Sequence, residues 1–69
     1  MPNLSRRLNS LPDAELWAVV GSYKKNTLVR WLQKRMSAAG FPMNEVLALK
    51  RATKAFLVEL AVDEIRDPW

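Results

Sequence analysis

The sequence predicts an all-α protein folded as a helical hairpin, in one domain over residues 1–69. Three observations carry that expectation. Apolar residues recur at i, i+3, i+4 and i+7 through most of the chain, the period of one helix face. Breakers are sparse, with glycine only at 21 and 40 and proline only at 2, 12, 42 and 68. The one strong bend is Ala38-Ala39-Gly40-Phe41-Pro42-Met43, where a glycine and a proline fall together.

Taken in order, Leu4, Leu8 and Leu11 share one face and predict a short N-terminal helical segment. A stronger start lies at Ser10-Leu11-Pro12-Asp13-Ala14-Glu15. Ser10 offers a capping hydroxyl, Pro12 suits a first turn, and Asp13 and Glu15 favour the positive end of the helix dipole. The first long helix is expected from there to Ala39. Gly21-Ser22 and Asn26-Thr27 weaken it, so a kink or short break fits between Gly21 and Asn26. Leu16, Val20, Tyr23, Thr27 and Trp31 form one line along it, and Leu28, Leu32 and Met36 another. At the bend, Gly40 suits the left-handed conformation past a helix end, and Pro42 opens the next helix. The second long helix is expected over residues 42–66, stopped by Pro68.

The faces of that second helix raise the question of pairing. Val46, Leu49, Thr53, Phe56 and Leu60 form one stripe. Leu57, Ala61 and Ile65 form a neighbouring one, with Val58 and Val62 beside it. Between Ala55 and Val62 the only charge is Glu59. A helix apolar almost all round is buried on more than one side. A single partner helix cannot cover it. Either the N-terminal leucine segment covers the extra face in a compact monomer or, as favoured here, two hairpins pair into a four-helix homodimer through Val46, Leu49, Phe56, Leu57 and Leu60.

Composition removes most chemistry. The chain has no cysteine and no histidine, so disulfides, thiolate metal sites and the commonest general base are absent. The acids Glu59, Asp63, Glu64 and Asp67 lie along one side of a helix end and read as a solvated face. No glycine-rich loop or nucleophile setting accompanies them. Neither an enzyme nor a cofactor is expected. The N-terminus lacks a signal-peptide pattern and no run is long enough to span a bilayer, so a cytoplasmic protein without membrane contact is expected.

What remains is binding. Between Lys24 and Lys54 lie eight bases (Lys24, Lys25, Arg30, Lys34, Arg35, Lys50, Arg51 and Lys54) against one acid, Glu45. Net charge is +4, but the C-terminal end is acidic, so the molecule is polarised. Met36, Gly40, Val46 and Leu49 carry helix-turn-helix spacing. On that alternative, a small DNA-binding transcriptional regulator, Asn44, Lys50, Arg51 and Lys54 face DNA. The pattern departs where alanine is usual, at Met36, and after the turn, at Phe41-Pro42. The aromatic residues favour a protein partner instead, because Trp, Tyr and Arg dominate interface hot spots. Trp31 sits among Arg30, Lys34 and Arg35, an apolar anchor ringed by cations. Trp17, and Trp31 to a lesser degree, also suit the core. Trp69 follows a helix-stopping proline; it either folds back on Ile65 and the first helix as a C-terminal clamp or, as favoured here because Pro68 takes it off the buried stripe, is held out beside Asp67. The expected partner-binding set is therefore Arg30, Trp31, Lys34, Asp67 and Trp69.

In layout, the chain resembles the small phage-encoded quorum-sensing anti-activators of Pseudomonas phages. The shared features are the 69-residue length, the single bend at residues 38–43 and an all-helical pattern without Cys or His. The resemblance implies a homodimer that binds a host regulatory protein, blocking the DNA-binding domain of a LuxR-type activator, with the type IV pilus assembly ATPase as a further partner in some members. It carries over no individual residue.

Overall fold

The computed structural model describes residues 8–69, which form four α-helices and no strand. They are α1 (Asp13–Gly21), α2 (Lys25–Ala38), α3 (Met43–Ala48) and α4 (Lys54–Arg66), with a 3-10 turn, Leu49–Arg51, closing α3. The all-helical expectation holds, but each expected long helix is two. The short N-terminal segment through Leu4 lies largely outside the described residues, although Leu8 is buried and Leu11 packs against the core.

Each division has a local cause. Pro12, not Ser10, occupies the N-cap position of α1, and its carbonyl receives the Leu16 N–H. After Gly21 the Ser22 hydroxyl donates back to the Val19 carbonyl at 2.6 Å, and Lys24 turns extended with ψ 150°. Competition of this kind from serine is what ends a helix already weakened by glycine. The second division is at Ala52 and Thr53, both extended. Thr53 is the N-cap of α4, and its side-chain oxygen accepts the Phe56 N–H at 3.2 Å. Thr53 therefore belongs to no apolar stripe; it satisfies a donor that a helix start leaves without a partner.

The bend forms as the sequence predicts. Gly40 has φ +86°. The Phe41 N–H reaches the Met36 carbonyl at 3.0 Å and the Gly40 N–H reaches that of Ser37 at 3.2 Å. This is the paired bonding of a Schellman motif, which brings the residue after the glycine back over the last helical turn.

Helix α4 is the centre of the fold, packed against both α1 and α2, while α3 and its 3-10 turn lie on α2. Leu57, Val58, Ala61, Val62 and Ile65 of α4 meet Leu16 and Val20 of α1 and Leu28, Val29, Leu32 and Met36 of α2 in one core. Two helices of the same chain thus cover the nearly all-apolar α4. Val46, Leu49 and Leu57, expected at a dimer interface, are occupied in this core, and Leu60 is half-buried against it. Phe56 alone of that set remains exposed. Trp17, expected inside, is 42% exposed, because Leu16 and Val20 take the inward face of α1. No helix of the described residues is long and apolar enough to cross a membrane.

Candidate functional site

A groove of about 720 Å³ opens where the end of α2 meets α4 and the C-terminal tail. Trp31, Lys34, Arg35, Ala38 and Ala39 line it from α2, Glu64 from α4, and Trp69 from the tail. Three of the five residues expected to bind a partner, Trp31, Lys34 and Trp69, come together here. Arg30 does not. It lines a separate cleft with Lys25, Asn26, Val29, Gln33 and Lys50. Asp67, also in the expected set, is exposed but is not part of the lining.

Sequence reasoning missed Glu64. It is 1% exposed, against the expectation of a solvated acidic face. The spacing carried a signal: Glu64 is seven residues past Leu57, which returns a helix to nearly the same side. One carboxylate oxygen accepts from Arg35, whose Nε lies at 2.8 Å and whose terminal nitrogen gives the second bond. The other oxygen accepts the backbone N–H of Trp69 at 2.8 Å. A buried carboxylate needs such partners, since burial without them is costly.

Both walls of the groove depend on that carboxylate. Arg35 lies over the Trp31 ring at 5.4 Å, within cation–π range. Trp69 is tethered through its backbone, and its ring packs against Phe41 with centroids 4.9 Å apart and a tilt of 48°. Phe41 is the residue that the Schellman motif folds back, so Gly40 indirectly places the Trp69 contact. Trp69 is accordingly neither free nor buried; it is docked on one side and 43% exposed on the other. Pro68 ends the helix as expected. The tail, however, turns back onto the body rather than away from it.

Arg35 and Glu64 neutralise one another, and Lys34 has no hydrogen-bond or ion-pair partner among the described residues. No group of three or more acids that could hold a metal occurs among them either.

The DNA-facing set of the alternative is exposed but divided. Asn44 is on α3, Lys50 and Arg51 are in the 3-10 turn, and Lys54 opens α4. The exposed side of α3 itself carries Met43, Glu45 and Leu47, with Met43 at 64% and Leu47 at 52% exposure. A helix that reads bases usually presents polar and basic groups there. Comparison with family models, with curated proteins and with solved structures found no match to this chain.

Proposed function

We propose that this chain is a small protein-binding inhibitor or adaptor, and that the groove between Trp31 and Trp69 is its contact surface. The observation carrying this reading is that two indoles, Trp31 partly buried and Trp69 43% exposed, line one groove together with a fixed ion pair. Large aromatic surface whose position is already set binds with little loss of side-chain freedom, which is the usual character of an interface anchor. The layout resemblance suggests a LuxR-type activator's DNA-binding domain and a type IV pilus ATPase as the first purified partners to try. For the former, the exposed acids Glu59, Asp63 and Asp67 complement a surface that otherwise meets phosphates.

The test compares tryptophans. Immobilised wild-type protein is exposed to bacterial lysate beside Trp31→Ala and Trp17→Ala. A species retained by wild type and Trp17→Ala but lost with Trp31→Ala supports the reading. Retention by all three removes the groove from the function.

One observation favours nucleic acid as a second reading. Lys25, Arg30 and Lys50 line the same cleft, with no acid among its lining residues. Phosphate-driven binding falls steeply with salt. A sequence-selective duplex complex that persists near physiological salt and is lost in Lys50→Glu would place this reading first.

A further inference from the structure

We infer that the groove takes a partner segment in which an aromatic side chain lies next to a carboxylate, with the ring against the exposed surface of Trp31 and Trp69 and the carboxylate on Lys34. The inference rests on the protein-binding reading above and adds the chemistry of what is bound.

Charge complementarity sets the sign. Of the three charged residues lining the groove, Arg35 and Glu64 are committed to each other. Lys34 is exposed and without a side-chain partner among the described residues, so the one unpaired charged side chain of the groove is positive. Lys34 lies three residues after Trp31, on the same side of α2 and about one turn away. Its ammonium can thus meet a group next to whatever rests on the indole.

The helix sets the direction. Ala38 and Ala39 line the groove at the C-terminus of α2. Helix C-termini carry partial negative charge and disfavour an anion. The carboxylate therefore belongs at the Lys34 end, and the apolar part at the alanine end. Those two methyl-sized side chains also leave room for a ring in a groove whose lining includes Trp31 and Trp69. A volume of about 720 Å³ suits two or three residues rather than one side chain.

The experiment uses short capped peptides and the three indole N–H signals of the 15N-labelled protein, assigned with single Trp→Phe variants. Phe-Asp peptide should move the Trp31 and Trp69 signals and leave that of Trp17 in place. Phe-Lys peptide should bind about fivefold more weakly, the scale of an exposed ion pair gained or lost. Lys34→Glu, an exposed substitution, should reverse that preference. Equal affinity for the two peptides overturns the inference. So does a preference that Lys34→Glu leaves unchanged, or no response to Phe-Asp at millimolar concentration. If lysate capture still depends on Trp31 while the peptides bind without regard to charge, only the carboxylate assignment fails. If capture is independent of Trp31, the underlying protein-binding reading fails.

Discussion

The Arg35–Glu64 pair makes an asymmetric prediction, because its two members differ in exposure. The Arg35 side chain is 36% exposed and that of Glu64 is 1% exposed. Arg35→Met leaves a carboxylate with no cation in a site that water barely reaches. Removing one partner of a buried pair in this way costs about 3–5 kcal/mol. Glu64→Met loses three hydrogen bonds, two from Arg35 and one from the Trp69 N–H. Here the groups left behind are a third or more exposed and can rehydrate, and methionine fills most of the vacated space. The cost should be smaller, about 1–2 kcal/mol. In a domain this small each kcal/mol moves Tm by roughly 4–8 °C, so the two variants should differ visibly. Total stability for such a chain is of the order of 5 kcal/mol, which puts Arg35→Met near the edge of unfolding. The double variant should resemble Glu64→Met alone, because the stranded charge is gone. Urea unfolding followed by far-UV circular dichroism measures all three. A Glu64→Met loss equal to or larger than that of Arg35→Met would refute the argument, since it would mean that the carboxylate is not the member that needs its partner.

Three further outcomes test other parts of the fold. Removing Pro68 and Trp69 deletes the Phe41 contact and the bond to Glu64, so Tm should fall by a few degrees or more, for about 1 kcal/mol; an unchanged melting curve would mean that the tail does not clamp the body. Thr53→Ala removes the cap on α4 and should cost about 1 kcal/mol in thermal unfolding, whereas Thr53→Ser should be nearly neutral. The two glycines should separate by sign: Gly40→Ala forces a side chain into φ +86° and should destabilise by about 1–2 kcal/mol, while helical Gly21→Ala, with open space at its Cβ, should stabilise by about 0.5–1 kcal/mol.

Of the residues that the apolar pattern named for pairing with a second copy, Phe56 remains exposed, while Val46, Leu49 and Leu57 lie in the core. Met43, Leu47 and Phe56 are, among the described residues, the large exposed apolar groups outside the groove and α1. Met43→Glu and Leu47→Glu are expected to fold as wild type does, and sedimentation equilibrium would report any dimer that they disrupt. Leu57→Glu tests nothing about pairing, because it unfolds the core first.

By itself, the sequence determined the helical class, the bend and most of the aliphatic residues of the core. Helical periodicity selects the class wherever apolar residues face inward. At Gly40 the backbone requirement is local, since only the chain's own last carbonyls and a positive φ are involved. The start of α1 near Pro12 and its weakness after Gly21 were likewise legible, being properties of a few neighbouring residues. The break at Thr53 was not. A threonine within an apolar helical pattern reads equally as a stripe member or as a cap, and the choice depends on α3 and α4 packing on different neighbours. The apolar girth of α4 was visible, but that α1 folds back as a separate helix to cover part of it was not. Trp31 and Lys34 could be named as candidates because they lie one turn apart. Glu64 and Trp69 could not be placed, because their roles come from Arg35, 29 residues from Glu64, and from Phe41 across the bend. Contacts so distant along the chain exist only once the core has brought α2 and α4 together.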